Sequence, residues 1–340
     1  MLNITPRLIQ FVTQHPRAWE LHHTYATLIA QYGGLADALG LLPHLLKVDE
    51  LTQECLLLPI AAHGDTAVAQ WLVEHCLAGV SPKPGITSEV LWALGFLGYE
   101  PAEALLIEHL TQDKTADYYS LQAVCLGLLH FSCAAYQDVI RREVEACYGQ
   151  NLFKEFVPAL AYKTGAPDLL DGIYELGRTT ASTDCNGGIF LGIALYGARD
   201  LFKSVLWDEY WEAGGYGTGT DRWAFVGTQI LGLTLAELYQ ETFQHNVDYR
   251  LDIFHRLLAA RLHWPLSPLH FVSPPNETCA DLWLLLNRWS NPNQTQPDFL
   301  LRAEGELRDK LAQDLAALRS SLERETLAEL LSLTDTPNST

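Results

Sequence analysis

Helix-breaking turns recur at nearly constant intervals over most of this sequence. Successive turns are 30 to 37 residues apart. They fall at Gly34, Gly64, Gly98, Ser132, Gly165, Gly197 and Thr234. Between turns the apolar residues recur three and four positions apart, as in Val68, Trp71, Leu72 and Cys76, which is the spacing of one helix face. A constant step of this length is typical of helix pairs that each bury an apolar face against the next pair.

Two segments show the repeating unit most clearly, residues 60–75 and 94–109. Each has a glycine turn, at Gly64 and Gly98, and each ends in Glu-His, at His75 and His109, which are 34 residues apart. The pattern over residues 20–245 resembles that of HEAT-like repeat proteins, a superfamily that includes subunits of cyanobacterial bilin lyases. This resemblance is one of pattern and implies an α-solenoid, without assigning a role to any single residue.

Two other repeat families resemble parts of the sequence. Residues 58–79 resemble an ankyrin repeat that is one residue short, but the other units lack the ankyrin Thr-Pro-Leu-His turn. Trp19, Leu21 and Tyr25 resemble part of a tetratricopeptide unit at a different spacing. We therefore predict an all-α fold, an α-solenoid of about seven stacked helix pairs with a C-terminal helical cap.

The sequence divides into four predicted regions. Residues 1–250 form the repeat array, 251–297 a helical extension with Pro-rich connections, 298–334 a long amphipathic helix, and 335–340 a tail. The long helix carries an apolar stripe at spacings of three and four. The stripe is formed by Leu307, Leu311, Leu315, Leu318 and Leu322. This helix would cap the open end of the array, or would join two copies as a homodimer.

The charge of the chain restricts its partners. Lys and Arg total 22 and Asp and Glu total 41, so the formal net charge is −19. Such a chain repels phosphate backbones and anionic lipid headgroups, so we expect no nucleic-acid or membrane partner and favour a basic protein partner. The sequence shows no signal peptide and no apolar run long enough to span a membrane, and its seven cysteines are scattered. These features predict a cytoplasmic protein.

The most unusual stretch is residues 207–223, which contains five aromatic residues, four acids and four glycines. Aromatic rings beside carboxylates suit recognition of a cation, sugar, tetrapyrrole or peptide. The candidate ligand- or partner-binding residues are Trp207, Asp208, Tyr210, Trp211, Tyr216, Asp221, Arg222 and Trp223. The alternative interpretation is an irregular turn between two helices whose aromatic residues fill the core.

Catalytic and metal-binding signals are weak elsewhere. Cys185 precedes a predicted helix start, where a thiol could have a lowered pKa, but no histidine base is identifiable for it. His75 and His109 share a repeat position near a helix end, which favours a structural role over metal binding. We expect no catalytic residue, no metal and no cofactor.

Architecture and charge together favour a non-enzymatic protein-binding scaffold or adaptor. One alternative, which rests on the resemblance to bilin lyase subunits, is a lyase-like or chaperone-like protein that handles a tetrapyrrole. A second alternative is an acidic inhibitor or immunity protein that neutralises a basic partner.

Overall fold

The structure is a computed structural model in which the chain separates into two compact units, Met1–Pro275 and Asn276–Thr340. It describes residues 1–2, 4–14, 16, 19–112, 118–149, 156–179, 186–208, 218–233, 235–242, 244, 246, 249–250, 253 and 257. The long amphipathic helix and the tail predicted between 298 and 340 lie outside the described residues, as does the second unit.

The described residues are mostly helical, which confirms the predicted all-α class. The α-helices are α1 (Ile4–Gln14), α2 (Trp19–Tyr32), α3 (Leu35–Leu45), α4 (Glu50–His63), α5 (Thr66–Cys76), α6 (Glu89–Phe96), α7 (Pro101–Thr111), α8 (Tyr118–Leu128), α9 (Gln137–Gly149), α10 (Asp168–Thr179), α11 (Asn186–Leu195), α12 (Arg199–Leu206), α13 (Thr218–Ile230) and α14 (Leu235–Thr242). Two 3₁₀ helices are η1 (Ala134–Tyr136) and η2 (Val157–Thr164). A two-residue antiparallel hairpin joins β1 (Leu77–Ala78) to β2 (Ser81–Pro82). No helix in the described ranges is long and apolar enough to cross a membrane.

Side-chain caps set several helix starts. The carboxylate of Asp49 accepts a hydrogen bond from the backbone N–H of Thr52 at 2.9 Å, and that of Asp65 accepts one from Val68 at 3.0 Å. These bonds satisfy N–H groups that have no partner within the helix. Helix α7 begins at Pro101, where a missing N–H costs nothing.

The predicted glycine turns have two different backbone conformations. Gly98, Gly165 and Gly197 have φ of 63°, 65° and 73°, the left-handed region that glycine enters without steric cost. Gly34 and Gly64 lie outside that region, with φ of −163° and −68°. At these two turns the chain passes from one helix to the next through extended residues, so no left-handed residue is needed.

Most of the helices fall into two sets according to their contacts, which we call the first row and the second row. Successive members of the first row pack against each other, and each member of the second row packs against a first-row helix next to it in the sequence. The first row is α2, α4, α6, α8, η2, α11 and α13. The second row is α3, α5, α7, α9, α10 and α12.

The first-row helices α6 and α11 are buried more completely than the second-row helix α12. All residues from Val90 to Gly95 in α6 are buried, and so are residues 187–194 in α11. By contrast α12 buries Phe202, Val205 and Leu206 and leaves its other residues partly or fully exposed. A helix that is apolar on every side is stable only inside a protein, whereas an amphipathic helix covers the core with one face.

The buried carboxylate of Asp37 connects the start of the chain to α3. It is 2% exposed and accepts hydrogen bonds from Leu2 N at 2.6 Å, Thr5 Oγ1 at 2.5 Å and Gly34 N at 3.1 Å. Burial alone would raise the pKa of Asp37, but the three donors outweigh it and hold the pKa below its ordinary value. The bonds therefore fix α1 and the first turn of α3 together.

Helices α6 and α8 come into direct backbone contact at two glycines. A Cβ placed on Gly95 would lie 2.3 Å from the carbonyl oxygen of Gly127 and 2.5 Å from its Cα. A Cβ on Gly127 would lie 2.8 Å from the carbonyl oxygen of Leu91. Backbone atoms cannot rotate away as a side chain can, so both positions require glycine.

Substituting Gly95→Ala should lower the free energy of unfolding by about 2–3 kcal/mol, because the new methyl group forces the two helices apart. Urea unfolding followed by circular dichroism measures the change. Gly34→Ala is the matched control, since its Cβ would have nothing within 4 Å and its backbone is extended. An equal effect of the two substitutions would contradict the backbone contact.

Candidate functional site

Trp207 is the first candidate residue of the 207–223 segment, and the structure places it at the end of α12. Its indole Nε1 donates a hydrogen bond to Glu241 Oε2 at 3.0 Å. The guanidinium of Arg250 lies 5.2 Å from the centroid of the Trp207 ring, within the range of a cation–π interaction. Both the face and the polar edge of this indole thus have partners within the protein.

A group of charged side chains surrounds Trp207 and joins α12 to α14. Lys203 Nζ lies 2.7 Å from Glu237 Oε1 and 2.5 Å from Glu241 Oε1. Arg199 pairs with the second oxygen of Glu237 at 2.5 Å and donates to the carbonyl oxygen of Leu231 at 3.1 Å. Each of the two carboxylates accepts two hydrogen bonds, so the group is a closed network.

The network shifts the protonation of its members. Hydrogen bonds from Arg199, and then from Lys203, lower the pKa of Glu237 to about 2 from an ordinary value of 4.5. Burial alone would lower the pKa of Lys203, but its bonds to Glu237 and Glu241 raise it. These shifts favour the ionised carboxylate of Glu237 and the protonated ammonium group of Lys203 at neutral pH.

Trp223, at the other end of the segment, lies in the core. It is 2% exposed and its ring meets that of Phe156 edge-on, with centroids 4.8 Å apart and planes at 67°. Helix α13 already begins at Thr218, so the segment predicted as a turn is shorter than residues 207–223. Trp223 is followed in α13 by three further buried apolar residues, Ala224, Phe225 and Val226.

The remaining candidates are placed only in part. Asp208 follows Trp207, and its backbone carbonyl accepts a hydrogen bond from the hydroxyl of Tyr249 at 3.2 Å. Asp221 and Arg222 fall within the first turns of α13. Tyr210, Trp211 and Tyr216 lie outside the described residues. The structure therefore brings Trp207 together with α14 and places Trp223 in the core.

The two repeat-position histidines occupy equivalent helix ends in different surroundings. His75 is exposed on α5, where its ring stacks on Trp71 at a centroid distance of 4.3 Å. His109 is fully buried on α7, and its Nδ1 bonds to the carbonyl oxygen of Val80 at 2.8 Å. Across the described ranges no three His, Cys, Asp or Glu residues gather as a possible metal site.

Three cysteines of the described chain have raised pKa values. Burial raises the pKa of Cys76 to about 11, and raises those of Cys55 and Cys133 to about 12. A thiol attacks as its thiolate, so these three side chains are unreactive at neutral pH. Cys185, the sequence candidate for a nucleophile, lies outside the described residues.

Leucine side chains form an exposed apolar surface that sequence reasoning missed. Leu35 is 41% exposed, Leu39 48%, Leu46 43% and Leu51 48%. Within the described chain these are the large apolar residues that reach such exposure, apart from Met1. We call these four residues the leucine face. The sequence does contain a sign of this face, because the helix after Gly34 has more apolar residues than one core-facing side can hold.

The charged network was also missed, although its signal is present in the sequence. Arg199 and Lys203 are four residues apart on one helix, and Glu237 and Glu241 are four apart on another. Arg199 and Glu237 are 38 residues apart in the sequence. This separation is close to the interval between successive turns. Matching pairs one step apart could have predicted the contact.

Comparisons with known proteins give no relative for this chain: no family model, no curated protein and no solved structure matches it.

Replacing Glu237→Gln should lower the free energy of unfolding at pH 7 by about 1–2 kcal/mol, because charge-assisted hydrogen bonds are lost at a partly exposed site. The pKa of Glu237 is lowered on folding, so its stabilisation is present above about pH 5 and is lost as the pH falls towards 2. Urea unfolding at pH 7 and pH 3 should therefore show a smaller difference between wild type and variant at the lower pH. The control is Glu108→Gln, exposed on α7, and a pH-independent loss would contradict this assignment.

Proposed function

We propose that the described part of the first unit is an array of stacked helix pairs of the HEAT-like kind, an α-solenoid, and that it binds a protein partner as a non-enzymatic scaffold. The observation that supports the array is a set of hydrogen bonds between side chains near helix ends and main-chain carbonyl groups. Each carbonyl lies earlier in the sequence by about the distance between successive turns. They join His63 to Ile29 across 34 residues, Lys163 to Leu129 across 34, and Tyr196 to Ala166 across 30.

Bonds from the second-row helix α7 and from the end of α12 to later parts of the chain span similar intervals. The carboxylate of Glu103 accepts a hydrogen bond from the backbone N–H of Cys133, 30 residues later. Trp207 bonds to Glu241 across 34 residues. Hydrogen bonds between successive units, repeated along the chain, are typical of repeat proteins, in which each unit is stabilised by the next.

Protein binding follows from the combination of this architecture with the charge. Stacked helix pairs expose a long surface made of many helix faces, which suits an extended contact better than a small pocket. A net charge of −19 attracts a basic partner and speeds its encounter, more strongly at low ionic strength. Binding that depends on this charge must weaken as salt screens it.

An affinity capture with the tagged full chain tests the proposal. The bait is incubated with extract of its native cells at about 50 mM and about 500 mM NaCl, and the eluate is examined by mass spectrometry and absorbance. We expect one protein in stoichiometric amount at low salt and less of it at high salt. An unrelated protein of similar negative charge, carrying the same tag, is the control.

Three outcomes would contradict the proposal. A lack of any stoichiometric protein at both salt concentrations would remove the scaffold function. A coloured eluate without a protein would favour tetrapyrrole handling instead. Loss of the captured partner's own activity on adding the bait would favour the inhibitor alternative, since a scaffold leaves its partner active.

A further inference from the structure

Three residues of the leucine face lie on one side of α3 and its C-terminal end. At 100° per residue, Leu35, Leu39 and Leu46 lie within about 40° of one another around the helix axis. Leu51 follows in the first turn of α4. Single exposed apolar residues are ordinary on protein surfaces, but a stripe of four within 17 residues marks a contact surface.

The outer surface of α3 differs from those of the other second-row helices. Each of the next four carries an exposed glutamate, at Glu74, Glu108, Glu145 and Glu175. The acidic residue of α3 is Asp37, which is 2% exposed and turned inward. On a chain with 41 acidic residues, this helix presents leucines where its neighbours present charge.

The size of the stripe indicates its occupant. An 11-residue helix is about 16 Å long and about 10 Å wide. The area of one of its sides is therefore far smaller than the roughly 800 Å² that each partner contributes to a stable protein interface. A second copy of the chain packed only here would be held weakly. One amphipathic helix of about three turns covers such a stripe, as in helix-in-groove recognition.

The charges beside the stripe indicate the charge that the partner's helix carries. Asp49, Glu50 and Glu54 are exposed next to Leu51, and Lys47 is the one cation among them. The end of the stripe near α4 is therefore negative while its centre is uncharged. A helix with leucines along one face and lysine or arginine at one end complements both features.

We propose that the leucine face binds an amphipathic helix of a protein partner, with apolar residues on α3 and basic residues beside Asp49 and Glu50. This inference rests on the proposed scaffold function and specifies its partner. Contact with the leucines supplies the affinity, and the acidic end sets the direction in which the helix lies.

The test uses the full chain and a fluorescein-labelled helical peptide of about 14 residues built from leucine and lysine, with leucines at i, i+4, i+7 and i+11. Fluorescence anisotropy at about 150 mM NaCl measures its binding to wild type and to the double variant Leu39→Glu with Leu46→Glu. We expect at least a tenfold weaker Kd for the variant. The two added negative charges would by themselves strengthen binding of a basic peptide, so a loss isolates the apolar contact.

The matched control places the same charges at the same spacing on α7, as Ala104→Glu with Thr111→Glu, both of which are exposed. This variant should bind the peptide as wild type does or slightly more tightly. A second variant, Leu39→Gln with Leu46→Gln, adds no charge and should also weaken binding. Circular dichroism and urea unfolding should show that all three variants fold, because the replaced side chains are exposed.

Equal affinity of wild type and Leu39→Glu with Leu46→Glu would overturn the inference, because binding would then rest on net charge alone. A wild-type dimer that the same variant dissociates, seen by light scattering, would also overturn it and make a second copy the occupant. Capture of the native partner by this variant as efficiently as by wild type would overturn it while leaving the scaffold function intact. Capture of no partner by wild type would contradict the scaffold function, and the peptide titration would still decide the leucine face.

Discussion

The last carbonyl groups of each first-row helix have no partner within the helix and need hydrogen-bond donors from elsewhere. Lys163 shows how the chain meets this requirement: its Nζ donates to the carbonyl oxygens of Leu129 at 2.8 Å and Phe131 at 2.5 Å, both at the end of α8. Burial lowers the pKa of Lys163, because desolvation disfavours its charged form. This desolvation offsets part of the stabilisation that the two hydrogen bonds provide. Because the donor belongs to the next first-row element, η2, one helix end is complete only when its neighbour is folded against it.

The sequence predicted the helical class and most turn positions because both depend on local chemistry. Gly98, Gly165 and Gly197 break the helical pattern and have the left-handed conformation that favours glycine. The kind of helix was not predictable everywhere, since the segment before Gly165 is a 3₁₀ helix.

The features that sequence reasoning missed depend on contacts between distant residues. Gly95 reads as an ordinary glycine in an apolar helix until Gly127 is seen against it, 32 positions later in the sequence. The helix after Gly34 has more apolar residues than one buried side needs, but this excess does not identify Leu39 as one of the exposed residues. Trp207 was chosen for its aromatic neighbours, whereas the structure engages it through Glu241 and Arg250.

The carboxylate of Asp37 also controls which way the leucine face points. Asp37 lies about 160° around α3 from both Leu35 and Leu39, so its three hydrogen bonds fix the rotation of the helix from the side opposite the leucines. Two of the donors come from Leu2 and Thr5. A protease that removed the first five residues would therefore leave the buried carboxylate of Asp37 with one donor. Helix α3 would then be free to rotate about its axis. The cut would change the leucine face, on the side of the helix away from the cleavage site.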